Sequence, residues 1–197
     1  TGEHVVAMQD VQLRGWIDVT QPILVKVDTE TNLVGVHATL SVNGVDKATA
    51  RVLTSDTYTI PPAALEPIRG VAAPCPYESG ALFHGPAFQL LDSWVLGPEG
   101  ASAILMADET TVPFGYTHQA LLDAVTHAIP HDALHLWSRE IPEDRVAYPA
   151  RITEISFHGP APRSGVVRAE VRFTGFHGGK DFPKFHIQLL VDDDVWM

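Results

Sequence analysis

His118-Gln119-Ala120-Leu121-Leu122-Asp123-Ala124-Val125-Thr126-His127-Ala128-Ile129 decides how this 197-residue chain is read. Thr117 stands before it as an N-cap and Pro130 behind it as a stop, which predicts a helix over about 118–129. Ala120, Leu121, Leu122, Ala124, Val125, Ala128 and Ile129 occupy nearly every angle around the axis. A helix that is apolar all round belongs in an interior. Asp123 and His127 interrupt it four residues apart, on one face and within mutual reach. An ionised carboxylate buried alone is very costly, so Asp123 should pair or take up a proton. That leaves two readings: an Asp–His hydrogen bond that only ties the helix to its surroundings, or an acid held ready to give up a proton.

Strands flank this helix on both sides. Val34, Val36, Ala38, Leu40 and Val42 alternate with their neighbours, and Asn43-Gly44 then supplies the residues of a type I′ hairpin turn. Ala48, Ala50 and Val52 run back, while Val11, Leu13 and Ile23, Val25, Val27 predict two further strands. Residues 57–80 carry Pro61, Pro62, Pro67, Pro74 and Pro76 and read as an ordered linker, with one short helix at Ala63–Ile68. Beyond it come a hairpin from Gln89–Leu96 to Ala101–Ala107, the helix, and strands at Arg151–Phe157, Val166–Phe173 and Phe185–Val191, with a turn at Asp192-Asp193-Asp194. One helix among antiparallel strands predicts a curled sheet around it, the hot-dog arrangement. The expected architecture is α+β, a double hot-dog. Its divisions are a partial first unit over 1–56 without its central helix, a Pro-rich linker over 57–80 and a C-terminal hot-dog over 81–197.

Charge and composition narrow the function. A net charge of −11 with only 13 unclustered Lys and Arg leaves no basic face to release counterions, which excludes nucleic acid as partner. No stretch approaches the ~20 apolar residues of a membrane helix, and Thr1 onward has no signal-peptide pattern. Cys75 is alone, which rules out an internal disulfide or a Cys-based zinc site and fits a reducing, cytoplasmic location. His127, His131 and His135 recur every four residues, but Pro130 breaks the face they would share, and no metal is read from them. Trp16, Trp94, Trp137 and Trp196 read as core or interface fillers.

Two segments together carry a family resemblance. Leu82-Phe83-His84-Gly85-Pro86-Ala87-Phe88-Gln89, followed by His118-Gln119-Ala120-Leu121-Leu122-Asp123-Ala124, resembles the C-terminal half of dehydratase domains of type I polyketide or polyunsaturated-fatty-acid synthases. In that family a (Y/H)GPxFQ segment precedes a helix reading HPALLDxxx(Q/H). Tyr148-Pro149-Ala150-Arg151 resembles the family's later Leu-Pro strand, and His158-Gly159 its continuation. The resemblance covers 81–197 well and 1–56 loosely.

The resemblance implies a lyase that removes water from 3-hydroxyacyl thioesters held on the phosphopantetheine of an acyl carrier protein, with no cofactor or metal of its own. Asp123 matches the acid that protonates the departing hydroxyl, and His127 the partner that orients it. His84, Gly85 and Pro86 match the thioester end of the pocket, where a backbone amide can polarise the carbonyl; Phe88, Leu122, Tyr148 and Pro149 complete the implied substrate-binding set. Implied partners are the carrier and neighbouring synthase domains, with dimerisation through the parent synthase. Gln119 replaces the usual proline. The family's base, a histidine in an HxxxGxxxxP motif, has no match: none of the ten histidines is followed four residues later by glycine. Residues 1–56 resemble the strands that come after the helix bearing that motif, so the chain is expected to start downstream of it. Rival readings are a non-catalytic dehydratase-like scaffold and a hot-dog acyl thioesterase.

Overall fold

The computed structural model describes residues 4–108 and 111–197, which form two antiparallel sheets and one short α-helix. Strands β1 (His4–Leu13), β2 (Val25–Asn32), β3 (Gly35–Val42), β4 (Val45–Ser55) and β8 (Arg151–Ser156) make a five-stranded sheet in the order β2-β3-β4-β1-β8. Strands β5 (Val71–Ala72), β6 (Leu91–Leu96), β7 (Gly100–Met106), β9 (Val166–Phe176), β10 (Pro183–Val191) and β11 (Asp194–Val195) make a six-stranded sheet, ordered β11-β10-β9-β7-β6-β5. Helix α1 is Gln119–Ala124. No helix among the described residues is long and apolar enough to cross a membrane.

The chain divides into two compact units, one of residues through Ile60 with Tyr148–Gly159, the other of Pro61–Ala147 with Pro160–Met197. In the first, Val36 to Val42 pair with Val52 to Val45 across the Asn43-Gly44 turn. Both turn residues have positive φ, 51° and 78°, as a type I′ turn requires. β8 differs from the sequence division. The segment 81–197 is not continuous in space, because Arg151–Ser156 pairs antiparallel with β1 and joins the first sheet. An alternating strand records which face is apolar but not which sheet it enters.

The second unit holds the helix. Val167, Ala169 and Val171 on β9, Ala101, Ala103 and Leu105 on β7, Leu189 on β10, and Ala120, Leu121 and Ala124 on α1 form its buried core. On the other face of β9 stand Arg168, Glu170 and Arg172. Glu170 has no exposed side chain; it accepts from Arg168 (2.7 Å), Arg172 (3.3 Å) and Ser102 Oγ (2.6 Å). The proline-rich segment covers this cluster. Arg168 and Arg172 donate to the carbonyls of Leu65 and Glu66, Ile68 N–H donates to Ser102 Oγ, and Gln188 bonds Leu65 N–H and the Ala63 carbonyl. The expected helix at Ala63–Ile68 does not form. Its backbone groups are bonded to the sheet's side chains instead.

Helix α1 is also shorter than predicted. After Ala124 the chain tightens into three-residue turns, His127 N–H to Ala124 O and Ile129 N–H to Thr126 O. Pro130 supplies no N–H for the Thr126 carbonyl and disfavours helix at the preceding residue. That carbonyl is met by Ile129 N–H and by the ring of His131, at 2.9 Å. The cap is His118 and not Thr117: its Nδ1 accepts Leu121 N–H, and its Nε2 donates to the Ala107 carbonyl at 2.8 Å. One neutral tautomer satisfies both bonds.

Candidate active site

His118, 1% exposed, fixes the start of α1 to the end of β7 and so sets where the helix presents its next turn. Asp123 lies on that turn with His127 just beyond it. His127 is completely buried, and its Nε2 stands 3.3 Å from Asp123 Oδ2. Its Nδ1 meets the hydroxyl of Tyr77 at 2.8 Å. Tyr77 Oη also accepts the Leu91 N–H at 3.1 Å, which ties the pair to the start of β6. Burial pushes the Tyr77 phenol up to about 12, so it stays protonated.

His84 arrives from the other sequence motif. Its Nε2 lies 3.4 Å from the same Asp123 Oδ2, and its ring stands 4.2 Å from that of His127, centre to centre. Its backbone is held by Gln89, whose amide donates to the His84 carbonyl at 2.7 Å. Gly85 O accepts Phe88 N–H at 2.9 Å, closing a single 3₁₀ turn over Pro86–Phe88 that packs against α1. A side chain at Gly85 would meet no atom within 4 Å, so this glycine leaves space open beside the turn. Burial, reinforced by His127, holds the His84 imidazole below its ordinary value, and Asp123 only partly opposes this.

Asp123 is more open than an all-round apolar helix implies, with 38% of its side chain exposed. Its Oδ2 is nevertheless sealed from water. That oxygen, His127 Nε2 and His84 Nδ1 are buried without a hydrogen-bond partner.

The structure therefore brings together His84, Asp123 and His127, with Gly85, Pro86 and Phe88 in the adjoining turn and half-buried Leu122 beside Asp123 on α1. Tyr148 and Pro149 belong to the other compact unit, where Tyr148 packs edge-on against Trp16. Sequence reasoning missed Tyr77 and the capping role of His118. A single tyrosine in a proline-rich segment has no periodicity to mark it. His118 was visible as the residue before the apolar run.

No family model matches the chain, and no curated protein matches it. Solved structures do. A dehydratase domain of a trans-AT polyketide synthase from Brevibacillus brevis superposes with a TM-score of 0.73 at 16% identity, over 98% of this chain and 72% of that one. The dehydratase domain of the CurF module of curacin polyketide synthase gives 0.72 at 15%, over 100% and 74%. A pyran synthase domain from module nine of the sorangicin pathway gives 0.72 at 12%, over 98% and 75%. This chain has the dehydratase double hot-dog fold. At these identities the likeness establishes the fold. Its α1 is a reduced form of the helix that the hot-dog name implies.

Proposed function

We propose that the chain is a dehydratase-type domain of a polyketide or polyunsaturated-fatty-acid synthase, acting on 3-hydroxyacyl thioesters delivered by an acyl carrier protein. The convergence of the two motifs supports this reading: His84 of the HGPAFQ segment and His127 of α1 approach the same oxygen of Asp123, at 3.4 and 3.3 Å. Dehydration needs an acid for the β-hydroxyl and a base for the α-proton. Asp123 serves as the acid. The hydroxyl leaves as water with the proton Asp123 supplies, the Cα–H electrons form the double bond, and the product is the 2-enoyl thioester. His127, locked by Tyr77, orients the carboxyl group. The Gly85–Phe88 turn borders the thioester end, and the reaction draws on no organic cofactor.

The base is assigned to a histidine in the HxxxGxxxxP spacing, which these 197 residues do not contain. The missing base also gives the scaffold reading its support. Carrier-bound 3-hydroxyacyl substrate decides between them. The 197-residue chain alone should form negligible 2-enoyl product, and the parent synthase should form it readily. A parent without such a histidine and without turnover would leave the scaffold in place. Robust turnover by the chain alone would place the base within it.

A further inference from the structure

The spacing within the cluster differs from that of ordinary charge-assisted hydrogen bonds. Those bring N and O to about 2.7–2.9 Å. Here both histidines stand 3.3–3.4 Å from Asp123 Oδ2. Tetrahedral coordination at zinc bond lengths sets neighbouring ligand atoms about 3.3–3.4 Å apart. One ligating atom from each of the three residues lies within 4.8 Å of the others. Two polar atoms facing the centre, Asp123 Oδ2 and His127 Nε2, are buried without a hydrogen bond, a state that asks for an explanation such as an ion.

The surroundings supply what a metal ligand needs. His127 has no exposed side chain, and its far nitrogen is held by Tyr77. Metal binding requires the tautomer with its proton on Nδ1, which the Tyr77 oxygen, 2.8 Å away, can accept in place of donating to that nitrogen. That tautomer turns the Nε2 lone pair toward Asp123. Outer hydrogen bonds of this kind orient histidine ligands and raise their basicity.

We propose that His84, Asp123 and His127 form a three-ligand site for a divalent transition-metal ion of the zinc class, leaving its fourth position open. One consequence rests on the dehydratase reading: with Oδ2 bonded to the ion, Asp123 cannot deliver a proton, so the loaded form is inactive and a chelator restores it.

Titrating the 197-residue chain with Co²⁺, read by visible absorption, and displacing it with Zn²⁺ tests the binding. One equivalent should bind at micromolar concentration, with the intense bands of low-coordinate cobalt, and raise the melting temperature. His84→Ala and Asp123→Asn should each weaken binding about tenfold or more, and Tyr77→Phe by about 10–100-fold. His135→Ala should leave it unchanged. His84 is partly exposed, so its variant keeps the fold, and the metal-free melting temperature verifies this. No stoichiometric binding, or equal affinity in folded His84→Ala and Asp123→Asn, would overturn the site. Turnover of the chelator-treated parent is measured separately: its absence would count against the dehydratase reading and leave the metal result standing.

Discussion

His127 Nε2 faces Asp123 Oδ2 at 3.3 Å from within the protein, while the opposite nitrogen of the same ring is pinned by Tyr77 at 2.8 Å. The ring is thus fixed from behind and its free edge is aimed at the Asp123 oxygen that water does not reach. A histidine that only filled the core would have no need to point at a half-exposed acid.

On the dehydratase reading, Asp123→Asn in the proposed parent synthase keeps the shape of α1 but removes the transferable proton. Dehydration of carrier-bound substrate, assayed in chelated buffer, should fall by about 10²-fold or more, the scale of losing a general acid. His127→Ala should cost less turnover and more stability, since it empties a fully buried site. Melting temperature and turnover are measured together. A well-folded, fully active Asp123→Asn parent would remove Asp123 from the mechanism.

Tyr77→Phe isolates the support behind the dyad. The phenol hydroxyl serves His127 Nδ1 and Leu91 N–H at once, so its removal leaves two buried groups without their partner. Chemical denaturation should show a loss of about 1–3 kcal/mol. In a double-mutant cycle with His127→Ala the two losses should be less than additive, because they share one contact. Strict additivity would mean that the contact carries no energy.

Local signals were legible in the sequence and distant ones were not. The Asn43-Gly44 hairpin and the alternation of Val167, Ala169 and Val171 are local, and both appear in the structure as expected. Asp123 and His127 share a turn, so their meeting needed only helical geometry. His84 reaches Asp123 from a distant loop, and only the family motif pointed to it. Helix α1 ends well before its apolar run does because Pro130 acts backward along the chain, and the Thr126 carbonyl it cannot serve meets Ile129 N–H and the His131 ring. The assignment of β8 to the first sheet was beyond local reading. Pairing of Ile155 with Met8 leaves no trace in either strand alone.

Glu170 is the clamp for the proline-rich segment. It has no exposed side chain and joins Arg168, Arg172 and Ser102, while both arginines also hold carbonyls of that segment. Glu170→Ala leaves partly buried Arg172 without its carboxylate and Arg168 with only exposed Asp193, and should cost about 3 kcal/mol. It should also expose residues 61–70 to limited proteolysis before the sheet unfolds. Cleavage there at the wild-type rate would show that the segment is held by its other bonds.

His131 predicts an acid-side loss of stability. Its two nitrogens lie 2.9 Å from the carbonyls of Ala147 and Thr126, contacts that favour the charged ring, and Asp132 adds to them. Burial is the largest influence and, with His127 nearby, holds the imidazole below its ordinary 6.5. A histidine depressed in the folded state binds fewer protons there than in the unfolded chain. Stability is therefore level above about pH 6.5 and declines as pH falls from there toward the folded-state value, by at most about 1.4 kcal/mol per pH unit for one group. His84, shifted the same way, adds to this decline. His131→Gln retains an amide donor for one of the carbonyls and cannot titrate, so its stability should fall less steeply on acidification. Denaturant midpoints measured across this window test the assignment. A wild-type curve that rises on acidification, or a variant with an unchanged slope, would show that His131 does not titrate with folding.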